Sequence, residues 1–216
     1  MKTLWFLLVM LITLPIDNKD VVWIDNFETE KIVDWHGRTN EFEDIYKIDS
    51  NEGQSYLSAS SIGSDNFILK KIEVDLVKYP YLNWKWRAKT LPVNGNESEK
   101  PNCDMAAAVV VVLRASKWRP QTIKYTWSTT LEQGTITESP YAHWPSRTDI
   151  VVMQSGDEHL NQWVSEKVNV FEHYKQLYDK KKVKQKVIKA FVIMTDSDNT
   201  NSLSEADYDE IFFSKE

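Results

Sequence analysis

The segment Tyr81 to Ala88 alternates without a break: Leu82, Trp84, Trp86 and Ala88 fall on one side, and Tyr81, Asn83, Lys85 and Arg87 on the other. A period of two belongs to a β-strand, whose successive side chains point to opposite faces. The apolar side, tryptophans included, reads as core, and Lys85 and Arg87 read as the exposed side. Similar signals recur roughly every 10–25 residues, with polar turns between them. They fall at 21–24, 56–59, 67–77, 122–128, 150–154, 164–170, 188–195 and 210–213. The run Ala106 to Leu113 is apolar throughout, which marks a strand covered on both faces. Many short strands at this spacing predict a mainly β protein, an antiparallel β-sandwich or jelly roll, rather than βαβ units. One short helix is predicted near 170–182, where Phe171, Tyr174 and Tyr178 recur at helical intervals.

The first residues place Lys2 ahead of an uncharged apolar run from Leu4 to Pro15. That is the layout of a secretory signal peptide or short anchor over 1–16, shorter than the roughly 20 residues of a membrane-spanning helix. The reading predicts a periplasmic or secreted protein with one β-sandwich domain over 21–216, touching a membrane only through an uncleaved N-terminal segment. The formal net charge is −6, and −7 without Lys2, which argues against nucleic acid as a partner. A lone cysteine, Cys103, excludes an internal disulfide. Nine tryptophans in 216 residues are far above ordinary usage. They fit a β core, and also the flat rings on which sugars stack.

The segment Met194-Thr195-Asp196-Ser197-Asp198-Asn199-Thr200-Asn201 follows an apolar strand directly. Asp-x-Asp with neighbouring hydroxyls and amides supplies the oxygens a hard cation such as Ca²⁺ requires, and Asn201 can take the left-handed turn position. Asp196, Asp198 and Asp209 are the candidate metal ligands. The same loop also reads as a turn whose side chains cap their own backbone, or as an acid/base pair formed by Asp196 and Asp198. Tyr125 and Trp127 share one strand face about 7 Å apart, compatible with core or with contact to successive units of an extended ligand. A lysine-rich stretch, 180–189, reads as a solvated face or as a patch for an anionic polymer or membrane surface.

Tyr81-Leu82-Asn83-Trp84-Lys85-Trp86-Arg87, the strand ending Val112-Leu113, Tyr125-Thr126-Trp127, Val151-Val152-Met153-Gln154-Ser155-Gly156 and Thr195-Asp196-Ser197-Asp198-Asn199-Thr200 occur in an order that resembles the DUF3047 family, a bacterial family of unknown function. Phe27-Glu28, Trp35 and Asp209-Glu210-Ile211 give a weaker similarity to galactose-binding-like jelly rolls. That similarity implies chain ends that meet, with a structural Ca²⁺ near their junction.

Together these readings predict an exported module that binds a glycan or cell-envelope polymer. Tyr125, Trp127 or the Trp144 and Trp163 regions would stack on sugar, and Arg87 or Arg114 would supply polar contacts. The alternatives are a polysaccharide hydrolase or lyase using Asp196 and Asp198, and an envelope structural protein using the lysine stretch.

Overall fold

The computed structural model describes residues 20–114, 121–143, 145–178 and 186–216. The expected leader at 1–16, Trp144 and the lysines at 180–184 lie outside them, as does the side chain of Arg114. Thirteen strands and two short helices make up the described chain: β1 (Val21–Asp25), β2 (His36–Gly37), α1 (Phe42–Ile45), β3 (Tyr46–Asn51), β4 (Gln54–Ile62), β5 (Phe67–Asp75), β6 (Tyr81–Thr90), β7 (Met105–Arg114), β8 (Gln121–Ser128), β9 (Ile136–Glu138), β10 (Arg147–Ser155), β11 (Val164–Asn169), α2 (Val170–Leu177), β12 (Val187–Asp196) and β13 (Leu203–Ser214).

They form two sheets. The six-stranded sheet runs β11-β6-β13-β4-β3, and β1 continues the β4 edge along the second half of β13. The seven-stranded sheet runs β2-β5-β12-β7-β8-β10-β9. All pairings are antiparallel except β8 with β10. A parallel neighbour needs a long return connection. Here residues 129–146 supply it, and β9 folds back from that stretch onto the far side of β10. The β3–β4 hairpin is closed by Glu52 and Gly53, both at positive φ (53° and 84°). That conformation suits the twist of a two-residue hairpin, and glycine adopts it without a Cβ penalty.

The alternation of β6 packs as predicted. Leu82, Trp84, Trp86 and Ala88 are buried between the sheets. The Trp84 ring lies 5.7 Å from Tyr125, and Trp86 lies 5.9 Å from Trp127. Tyr208 of β13 crosses the core to reach the other sheet: its hydroxyl donates to the Met194 carbonyl (2.8 Å). The helix α2 begins at Asn169, whose Oδ1 accepts from the Glu172 amide at 2.9 Å, an ordinary N-cap. It is shorter than the predicted 170–182. Tyr178 already has extended backbone, and its hydroxyl donates to the Thr122 carbonyl (3.2 Å). Among the described residues no helix is long and apolar enough to cross a membrane.

Candidate functional site

Six tryptophans are described, and the fold sorts them. Trp35, Trp84, Trp86 and Trp127 are buried, whereas Trp23 is 44% exposed and Trp163 39%. Both exposed rings stand on the outer face of the six-stranded sheet. Trp23 of β1 lies opposite Phe212 of β13, with the rings 4.7 Å apart. Trp163 immediately precedes β11, and its indole meets the Tyr56 ring edge-on at 5.5 Å.

Arg87 joins these aromatics to the sheet. Its guanidinium lies 4.8 Å from the Trp163 ring centre and 5.4 Å from that of Tyr56, within cation–π range. Underneath, Asp207 is fully buried and accepts from Arg87 Nε (2.9 Å) and Nη2 (2.6 Å) through one oxygen. Lys89 Nζ stands 2.8 Å from its other oxygen. Strand register explains the trio: Asp207 pairs directly with Arg87 on one side and with Ser58 on the other. Toward the Trp23 end, Lys85 pairs with Glu210 (2.7 Å). Beyond it a hollow of about 410 Å³ opens beside Asn83, Lys167, Phe212 and Ser214. Arg87 and Lys89 share Asp207 and Lys85 pairs with Glu210, and the same face carries the two exposed indoles.

Tyr125 and Trp127, named above as ligand contacts, are in the core. Both have no exposed surface, because the side of β8 that carries them faces the other sheet and its partner residues are Trp84 and Trp86. Burial raises the Tyr125 phenol far above its usual range, and the hydroxyl meets His173 Nδ1 at 3.1 Å. Neither ring can stack on a ligand. Lys189, at the end of the lysine stretch, pairs with Glu73.

A second constellation lies at the other sheet, where β12 ends and β7 begins. Asp104, Asp196 and Asp198 each bring a carboxylate oxygen within 4.8 Å of the others. Asp209 is not among them. It sits on the outer face of the six-stranded sheet, opposite Lys85, where burial pushes it up to about 6. Asp104 takes its place, and no local signal announced it: it precedes the apolar run of β7, 92 residues from Asp196 in sequence. The amides of Asn199 and Thr200 donate to the Asp104 oxygens (3.2 and 2.7 Å). The loop is thus capped by a carboxylate distant in sequence instead of by its own aspartates, and Asn201 takes the left-handed position at φ 49°. Burial pushes the Asp196 carboxyl up to about 7; Lys124 opposes the shift and the charges of Asp104 and Asp198 add to it. Nearby, Glu97 is buried beneath Ser128, whose hydroxyl donates to it at 2.5 Å, and burial holds its carboxyl above the usual range. A hollow of about 670 Å³ at Thr39, Asp44, Ser60 and Asn66 is lined by neither constellation and carries no aromatic ring.

The fold defines a two-sheet β-sandwich with an aromatic, ion-paired outer face. The chain belongs to the family described as "Protein of unknown function (DUF3047)", whose pattern matches residues 33–212. Among curated proteins none matches this chain. Solved structures with a similar fold include a family 11 carbohydrate-binding module from Clostridium thermocellum in complex with a β-1,3-1,4-mixed-linked tetrasaccharide (10% identity, 90% of this chain and 94% of that one, TM-score 0.45). Another is the catalytic domain of Humicola grisea Cel12A with a soaked thio cellotetraose (11% identity, 87% and 88%, TM-score 0.47). A third is the xyloglucanase domain of NopAA from Sinorhizobium fredii in complex with cellobiose (9% identity, 82% and 95%, TM-score 0.45). At that distance they bear on no function.

Proposed function

We propose that this protein is a non-catalytic glycan-binding module and that its ligand lies along the outer face of the six-stranded sheet. One observation carries the reading: both exposed tryptophans of the described chain stand on that face, and one of them lies over an arginine clamped by a buried aspartate. The C–H face of a sugar ring packs on an indole, and its hydroxyls, each both donor and acceptor, need fixed polar partners at the rim. Trp163 supplies the ring. Arg87 and Lys89, held by Asp207, supply donors that lose little freedom on binding.

The spacing fits an extended ligand. Arg87 and Asn83 are four residues apart on β6, about 13 Å at the ordinary rise of a strand. A chain passing over Arg87 therefore reaches the hollow beside Asn83 and Phe212, with Trp23 at its edge. The paired charges favour a neutral polysaccharide over a polyanion.

The test is affinity electrophoresis through gels containing neutral polysaccharides, among them mixed-linkage β-glucan, xyloglucan, galactan and mannan. At least one should retard the protein, and Trp163→Ala should abolish the retardation while leaving the far-ultraviolet dichroism unchanged. Unretarded migration on every polymer, or retardation that survives both Trp163→Ala and Trp23→Ala, contradicts the proposal.

A further inference from the structure

We propose that Asp104, Asp196 and Asp198 form a binding site for a hard divalent cation, Ca²⁺, which ties the loop after β12 to the start of β7. The geometry comes first. Oxygens bound to one Ca²⁺ at about 2.4 Å can be at most about 4.8 Å apart. The three carboxylates meet that limit, each offering one oxygen with all three within 4.8 Å.

The state of Asp196 is the second observation. The residue is 5% exposed, its Oδ1 has no hydrogen-bond partner, and its carboxylate lies among the other two. A buried carboxylate oxygen without a donor is costly, and two more carboxylates beside it raise the cost. Among the described residues none of the three takes part in an ion pair; the nearby Lys124 Nζ rests against the sulfurs of Met105 and Met194 (3.9 and 3.8 Å). Asn199 Oδ1, on the same loop, is buried and also lacks a donor.

The donor set chooses the metal. Every candidate ligand is oxygen, which suits Ca²⁺ better than Zn²⁺. Cys103 adds no thiolate: its Sγ donates to the Glu97 carbonyl at 3.5 Å and is not among the clustered ligand atoms. The Asp104 oxygens are oriented beforehand by the Asn199 and Thr200 amides, and Asp198 is exposed, which leaves an entry path for the ion. Asp209, placed on the opposite sheet, takes no part, so this is not a site at the junction of the chain ends.

Thermal melts of the full chain, stripped with EDTA and then supplied with Ca²⁺, Mg²⁺ or Zn²⁺ at constant ionic strength, test this. Ca²⁺ at about 100 times its dissociation constant should raise Tm by about 5–10 °C. Asp196→Asn should remove the rise. Asp198→Asn, at an exposed position that does not threaten folding, should weaken it and move the titration to higher Ca²⁺. Equal melting in EDTA and Ca²⁺, a larger rise with Zn²⁺ than with Ca²⁺, or a Ca²⁺ rise that persists unchanged in both variants overturns the proposal. If Asp196→Asn melts higher than the wild type while Ca²⁺ shifts neither, the carboxylates share a proton and bind no cation.

Discussion

Asp207→Ala is expected to lower the melting temperature by about 6–12 °C. The residue has no exposed surface and is the shared anion of Arg87 and Lys89. Removing one partner of a buried charge pair costs about 3–5 kcal/mol, chiefly because the remaining charge is left without compensation. Arg87 and Lys89 are partly exposed and can turn toward water, which places the expected cost near 3 kcal/mol, and a domain of this size loses about 2–4 °C per kcal/mol. The same change frees the Arg87 guanidinium from its position over Trp163, so glycan retardation should fall together with stability. Differential scanning calorimetry reads the first effect. A variant melting within about 2 °C of the wild type would mean that the trio is hydrated and the proposed platform is not rigid.

Trp127→Ala should cost as much or more, about 3–5 kcal/mol. Its ring fills the space between the sheets beside Trp86, and its Nε1 donates to the Gly156 carbonyl at 3.1 Å. Truncation leaves a cavity and a carbonyl without its donor. Trp163→Ala is the control at the same residue type. That ring is substantially exposed and stacks on Arg87, a contact of about 0.5–1 kcal/mol, so its loss should move Tm by at most about 4 °C. Urea unfolding of the two variants separates the roles. Comparable destabilisation by both would mean that Trp163 is a packing residue, not a binding one.

The contrast between these tryptophans shows where sequence reasoning stops. Alternation along β6 and β8 revealed which residues share a side, and the apolar run of β7 revealed burial on both faces. Alternation does not reveal which side faces the partner sheet when both carry large rings or mixed polarity. Tyr125 and Trp127 were therefore open to two readings until their neighbours Trp84 and Trp86 were known. The first half of β13 was missed for a related reason. Leu203 to Asp209 carries acids outward and small Ser204 and Ala206 inward, so it reads as loop, although it is the central strand that aligns Asp207 with Arg87. The parallel β8–β10 pair follows from a long connection that no local pattern encodes. Asp196 and Asp198 were legible because they share one short loop; Asp104 was not, since only the β7–β12 pairing brings it there.

In the proposed complex a glycan lies against Trp163 on the outer face of the six-stranded sheet. The most direct measurement is the indole N–H region of a ¹H–¹⁵N correlation spectrum, with each peak assigned by a Trp→Phe variant, during titration with an oligosaccharide of the retarding polymer. The Trp163 peak should shift first and furthest, with Trp23 following for longer oligosaccharides, while the peaks of Trp84, Trp86 and Trp127 stay in place. Shifts confined to other indoles, with Trp163 unmoved at saturation, would contradict it.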